Sequence, residues 1–108
     1  MSRVSRFDGR VWTTVDGVEY PLMAMLEGRV EEVTAEPFGR RETLDGLTSW
    51  GGLLLTGSAD IAERFGEIGE LQLRTEDGRE GKVHISGITA HAGMLSVTGT
   101  GEAPFAID

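Results

Sequence analysis

The 108-residue chain predicts a mainly β fold, an antiparallel meander that forms a small barrel or roll with one short helix. Apolar and polar residues alternate with a period of two over much of the chain, as in strands with one buried face. Asp-Gly pairs, which favour tight hairpin turns, separate several of these segments. Helical spacing is confined to one short segment. We expect a single domain over residues 1–108, with a two-sheet sandwich as the alternative architecture.

The most apolar run, Leu53-Leu54-Leu55, indicates a strand that is buried on both faces. We place this strand at residues 50–57, so that the rest of the chain wraps around it. A short strand at residues 40–44 and a turn at Asp45-Gly46 are expected before it.

Two strands are predicted in the N-terminal third, at residues 7–15 and 18–35, joined by a turn at Asp16-Gly17. Pro21 cannot donate a ladder hydrogen bond and therefore indicates an edge or a bulge. Gly28 is expected to bend the second strand, so that residues 29–35 continue as a polar, exposed strand. Residues 36–39 break the pattern.

The helix is predicted at residues 58–66, with Ser58 as N-cap and Gly66 as the residue that ends it. Ile61 and Phe65 share one helical face, and we expect this helix to close an open end of the barrel.

Three further strands are predicted at residues 69–76, 81–90 and 94–100. Turns at Asp77-Gly78 and at residues 91–93 connect them. The tail, residues 101–108, carries Pro104, Phe105 and Ile107, which is enough apolar surface to dock on the barrel.

Composition excludes several classes of protein. The chain is 39% hydrophobic and 26% charged, which is typical of a folded chain, and no apolar run approaches the roughly 20 residues that a membrane helix needs. The basic N-terminus has no apolar h-region, so we expect no signal peptide. The absence of Cys excludes disulfides and thiolate zinc sites. We expect a cytoplasmic protein, or a virion protein if a phage encodes it.

The net charge of −8 disfavours direct binding to nucleic acid and to anionic membranes. One alternative is an acidic inhibitor that occupies a nucleic-acid-binding protein. The chain has no Asn and a single Lys against nine Arg, a bias that favours a GC-rich genome, bacterial or phage.

Short motifs of Gly, Asp, Trp and Pro-Phe recur over most of the chain. They are Phe7-Asp8-Gly9, Val15-Asp16-Gly17-Val18-Glu19-Tyr20, Leu26-Glu27-Gly28, Leu44-Asp45-Gly46 with Trp50-Gly51, and Thr98-Gly99-Thr100-Gly101 with Pro104-Phe105. In these motifs the chain resembles an uncharacterised actinobacterial β domain, which occurs alone or C-terminal to flavin-dependent monooxygenases. The resemblance implies no catalytic residues, because that family has no established activity.

No residue pattern indicates catalysis. His84 and His91 are the only histidines, and nothing nearby in the sequence supplies an orienting group or an oxyanion hole. A metal site would need both histidines together with carboxylates. Glu31, Glu32 and Glu36 are more simply explained as a solvated face. We therefore predict no enzyme, no catalytic or metal-binding residues and no cofactor.

If the barrel has room, an apolar ligand cavity is expected to be lined by two tryptophans, a tyrosine and two methionines. At this length a filled core is the simpler expectation. The residues concerned are Trp12, Tyr20, Met23, Met25 and Trp50.

The favoured function is a non-catalytic binding or assembly module that contacts another protein or copies of itself, such as a phage or bacterial structural or accessory protein. Edge strands around Pro21 and residues 29–35 are the expected contact. The main alternative is a small barrel that binds an apolar molecule as an accessory to a flavin enzyme.

Overall fold

The computed structural model describes residues 2–35 and 42–107. These residues form six strands and one α-helix. In chain order the elements are β1 (Ser2–Val15), β2 (Val18–Ala35), β3 (Glu42–Leu55), α1 (Ala59–Ile68), β4 (Glu70–Thr75), β5 (Glu80–Thr89) and β6 (Met94–Thr100).

The strands form a closed antiparallel barrel in the order β1-β2-β3-β6-β5-β4, which confirms the predicted fold class. Each half of the chain is a meander of three strands. Helix α1 carries the chain across between the halves, so β3 lies next to β6 and β1 lies next to β4. Closure pairs strands that would otherwise be sheet edges, which is how barrels avoid exposed backbone groups.

The prediction of a turn at Asp45-Gly46 is wrong. Both residues lie inside β3, where Asp45 pairs with Glu32 of β2. The register shifts nearby, because two steps along β2 (Val30 to Glu32) face three steps along β3 (Thr48 to Asp45). Asp45-Gly46 therefore stands at a β-bulge, and glycine within a strand is common at bulges. The short strand predicted at residues 40–44 is the start of β3 from Glu42 onward, and residues 40 and 41 lie outside the described part of the chain.

The predicted bend at Gly28 is also wrong. Strand β2 runs through this residue, which pairs with Ser5 on one side and Trp50 on the other. Gly28 is needed for space, since a Cβ there would lie 2.5 Å from Cδ1 of Ile107 in the tail.

Strand β2 is not an edge of the sheet where the sequence predicts one. It lies between β1 and β3, and residues 29–35 all lie beside β3. Pro21 pairs with Trp12 of β1 and lies beyond Met23, the last β2 residue that pairs with β3. The missing N–H of Pro21 is therefore tolerated at the end of a ladder.

Helix α1 closes one end of the barrel. Its N-cap is Ser58, as predicted, and the Ser58 hydroxyl accepts a hydrogen bond from the Ile61 N–H at 3.3 Å. Phe65 is fully buried, and its ring meets the ring of Tyr20 edge-on with centroids 5.2 Å apart.

The predicted helix end at Gly66 is wrong by one turn. The helix continues to Ile68, and Gly69 (φ 82°) ends it, donating its N–H to the Phe65 carbonyl at 3.0 Å. Gly66 lies inside the helix. A glycine is needed at this position because the Ile88 side chain occupies the space that a Cβ would fill.

Strands β4, β5 and β6 lie within one residue of their predicted positions, and the turns at Asp16-Gly17 and Asp77-Gly78 are confirmed. The first strand was predicted at residues 7–15, and β1 begins five residues earlier, at Ser2. Side chains fill the barrel interior. The largest fully buried ones are Phe65, Leu26, Leu54, Leu73, Leu95, Val11, Val83, Thr13 and Pro104.

Part of the sheet projects beyond the barrel. Strand β3 pairs with β6 only over residues 51–55, and β1 pairs with β4 only at Val11 and Trp12. Residues 2–4, 29–35 and 42–49 therefore form a sheet extension, which we call the wing. The molecule is 56 Å long with a radius of gyration of 16.1 Å, against about 13 Å for a compact domain of this size.

Two buried threonines differ in their hydrogen bonding. The hydroxyl of Thr13 (2% exposed) has no partner among the described residues. The hydroxyl of Thr75 (3% exposed) donates to the Asp77 carboxylate and lies 3.3 Å from the Arg79 carbonyl oxygen. Burying a polar group without a partner costs free energy, whereas a satisfied group contributes to stability.

We therefore expect Thr13→Val to raise the free energy of unfolding by about 1 kcal/mol, because it removes an unsatisfied hydroxyl at nearly constant shape. Thr75→Val is the matched control, and it is expected to lower that free energy by about 1 kcal/mol. Denaturant unfolding measures both, and a destabilised Thr13→Val variant would contradict this assignment.

Thr75 also sets the acidity of Asp77. The hydrogen bond from the Thr75 hydroxyl holds the pKa of Asp77 below its ordinary value. Ionised Asp77 therefore stabilises the fold above the ordinary carboxyl pKa, and this contribution is lost as the pH falls through the lowered pKa. In Thr75→Val we expect the pKa of Asp77 to return towards its ordinary value. An NMR titration of the carboxyl carbon measures it, and an unchanged pKa would refute the proposed cause.

Candidate interaction surface

Trp50 anchors the wing to the barrel. It is the first β3 residue beyond the β6 ladder, and its side chain is 4% exposed. The indole lies flat against Gly99 of β6, where any Cβ would overlap the ring. It also approaches Gly81 of β5, where a Cβ would lie 2.9 Å from Cη2. Trp50 therefore spans from β3 to β5 across the mouth of the barrel.

The tail docks on the barrel, as its apolar residues predict, and it closes the same end of the barrel as Trp50. The Trp50 Nε1–H donates to the Gly101 carbonyl at 3.0 Å, which fixes the start of the tail. The Phe105 ring then meets the indole edge-on and stacks on Phe7, with centroid distances of 6.2 Å and 5.7 Å. Ile107 packs over Gly28 of β2. The barrel is thus closed by α1 at one end and by the tail at the other.

Gly51 and Gly52 connect the wing to the barrel wall. Gly52 has φ 152°, a conformation that residues with a Cβ rarely adopt, and a Cβ there would overlap the Met25 carbonyl. A Cβ on Gly51 would lie 2.5 Å from the Val97 carbonyl oxygen. At this point β3 begins to pair with β6 as well as β2, so the backbones of three strands approach closely.

The wing has two edges without a second strand. Within the described part of the chain, residues 2–4 have a ladder only with β2, and so do residues 42–49. The backbone groups on the outer side of these strands are available for pairing with another strand. Val4, at one edge, is 48% exposed.

An apolar strip lies on the outer wall of the barrel below the wing. Met23 and Met25 of β2 are 46% and 42% exposed and lie beside Leu55 and Leu53 of β3. Met94 of β6 continues the strip next to Leu55. Exposed apolar patches of this kind are common at protein contacts.

The five residues predicted to line a ligand cavity do not lie around one cavity. Trp12 is on the outer wall, where the Arg74 guanidinium lies 5.7 Å from its ring centroid. Met23 and Met25 also face outward, because Leu22, Ala24 and Leu26 take the inward positions of β2. Tyr20 packs on α1 at one end of the barrel, and Trp50 lies at the other end. Alternation along the strands separates these side chains.

The histidines lie apart on the surface. His84 is exposed on β5 between Glu70 and Thr98, and His91 is exposed in the 3-10 turn before Gly93. No three His, Asp or Glu side chains of the described residues are grouped so as to hold a metal ion. Glu31 and Glu32 lie on β2 in the wing, and Glu36 is outside the described residues.

A groove of about 630 Å³ follows the tail, and Phe105, Ile107, Arg79 and Glu80 contribute to its walls. It lies at the surface, outside the side chains that fill the barrel. Its lining combines apolar rings with charged groups and contains no histidine.

The edges of the wing were not predicted from the sequence. The exposed edge was expected on β2, whereas in the described residues the wing edges belong to β1 and β3. The available signal was the Gly51-Gly52 pair, which marks where β3 joins its second neighbour. Glycine pairs have several other roles, so that signal alone does not identify an edge.

Comparison with known proteins found no matching family model, no similar curated protein and no similar solved structure. The resemblance to the actinobacterial β domain therefore stays a prediction. Among the described residues no helix is long and apolar enough to cross a membrane.

The contact between Trp50 and Gly99 gives a test of how the wing is anchored. We expect Gly99→Ala to lower the free energy of unfolding by about 1–3 kcal/mol, because the added methyl group displaces the indole. Gly87→Ala, on β5, is the matched control, since its Cβ would lie 3.6 Å from Ser96 Cβ, an ordinary contact. Denaturant unfolding followed by Trp fluorescence measures both, and equal stability of the two variants would contradict the packing described.

Proposed function

We propose that this protein is a non-catalytic assembly module that associates with copies of itself through the wing. The observation that carries this proposal is the wing itself, which extends the sheet beyond a closed barrel and has a strand edge on each side. In the wing, β1 and β3 each have a ladder on one side only, and an unpaired strand edge needs a partner or a device that blocks pairing.

The apolar strip supports the same proposal. Met23 and Met25 are exposed on the outer wall of the strands that continue into the wing. Methionine side chains adapt their shape to a contacting surface, which makes such residues common at interfaces. A strand edge together with an adjacent apolar wall supplies both backbone hydrogen bonds and buried area to a contact.

The side-chain chemistry favours assembly over catalysis. The two histidines are exposed and lie on different elements. His84 lies between Glu70 and Thr98, but among the described residues it makes no hydrogen bond to either side chain, so no base is held in place beside a nucleophile. The side chains that fill the barrel leave the proposed apolar-ligand function without a matching interior site in the described residues. A structural or accessory component of a bacterial or phage particle is the concrete form of the proposed function.

The test is the oligomeric state of the purified chain, measured by native mass spectrometry and by light scattering over a wide range of concentration. We expect the wild type to assemble. We expect the Val4→Glu variant to be monomeric, because it places a charge at the edge of the wing. Val18→Glu is the matched control: Val18 is 50% exposed, close to the 48% of Val4, but lies at the β1–β2 turn, remote from the wing. A monomeric wild type, or equal effects of the two variants, would refute the proposal.

A further inference from the structure

The two edges of the wing are different surfaces. One belongs to the first residues of β1 and the other to the first half of β3, with β2 between them. An edge that pairs with the same edge of a second copy gives a closed two-fold dimer. An edge that pairs with the opposite edge gives a head-to-tail contact, which can be repeated by every further copy.

The charges on the two edges are opposite. Before its ladder with β4, which begins at Val11, β1 contains three arginines, Arg3, Arg6 and Arg10, and one acidic residue, Asp8. Residues 42–49 contain Glu42 and Asp45 and no basic residue. The Arg6 side chain is 77% exposed, and its ion pair with Glu27 is long, at 3.9 Å. Glu27 also lies 3.5 Å from Arg29, so its charge is shared between two guanidinium groups.

These charges discriminate between the two kinds of contact. Pairing β1 with β1 would bring two predominantly basic edges together, and pairing β3 with β3 would bring Glu42 and Asp45 of both copies together. Like charges that face each other across strands are destabilising, whereas opposite charges attract and set the register. Head-to-tail pairing also gives both edges of every interior copy a neighbour, while a two-fold dimer leaves one edge of each copy exposed.

We propose that the β1 edge of one copy pairs with the β3 edge of the next, so that the protein forms head-to-tail assemblies of more than two copies. This inference rests on the proposed function. It adds which surface of the second copy is contacted and how successive copies are arranged. The basic edge around Arg3 and Arg6 faces the acidic edge around Glu42 and Asp45 at each junction.

The first test is a charge exchange between the edges. In one variant Arg3→Glu and Arg6→Glu make the β1 edge acidic, so that both edges are acidic. In the other, Glu42→Lys and Asp45→Lys make the β3 edge basic, so that both edges are basic. We expect each variant alone to be monomeric and an equimolar mixture to assemble, with the two variants alternating and present in equal numbers.

The matched control is Glu63→Lys with Glu67→Lys on α1. Both residues are exposed and far from the wing in the fold, and the pair changes the net charge as much as the β3 variant does. We expect this variant to assemble like the wild type. Circular dichroism and thermal unfolding of each variant report whether its barrel is folded.

A second measurement needs no variants. Added salt screens opposite charges at an exposed junction, so we expect the wild-type assembly to dissociate as ionic strength rises. A wild-type dimer, variants that stay assembled on their own, or a mixture that fails to assemble would overturn the head-to-tail arrangement. The two proposals can fail separately. If the wild type assembles and Val4→Glu is monomeric, but the mixture of charge-exchanged variants does not assemble, self-association through the wing stands and only the head-to-tail arrangement is refuted.

Discussion

The packing of Trp50 against glycine is the interaction on which the rest of the structure depends. The indole lies on Gly99 and close to Gly81, so one side chain of β3 crosses the mouth of the barrel to reach β6 and β5. Its Nε1–H holds Gly101, and its ring edge meets Phe105. A smaller residue at position 50 would leave a cavity between the strands and the tail, and a larger residue at position 99 would displace the ring.

Strand β3 has two different surroundings along its length. Over residues 51–55 it has neighbours on both sides and belongs to the barrel wall, and over residues 42–49 it pairs with β2 alone. Gly51 and Gly52 stand at the change, where close backbone approach leaves no room for side chains. Residues 50–52 therefore position the barrel core, the tail and the point at which the wing joins the barrel.

Features that depend on local residue preference could be predicted from the sequence. The bounds of β2 and β6, the N-cap at Ser58 and the turn at Asp77-Gly78 follow from alternation, capping and turn preferences that act over a few residues. The docking of the tail followed from its apolar residues.

Features that depend on distant contacts could not be predicted in this way. Asp45-Gly46 suits a turn as well as a bulge, and only the pairing of β2 with β3 decides between them. Gly66 and Gly69 are both suitable helix ends, and the contact with Ile88, far along the chain, explains why Gly66 lies within the helix. Aromatic and methionine residues suggested an inner cavity, although the odd-numbered positions of Met23 and Met25 on β2 place them outside.

The wing contains an odd number of strands, and this number determines the direction of its edges. Because each neighbour is antiparallel, β1 and β3 run in the same direction. A junction between β1 of one copy and β3 of the next, related by rotation about an axis along the strands, therefore joins parallel strands. Every copy in such an assembly points the same way, with the helix-capped barrel ends on one side and the wings on the other. The proposed assembly would therefore have two chemically different faces, and a second component could dock on one face and be excluded from the other.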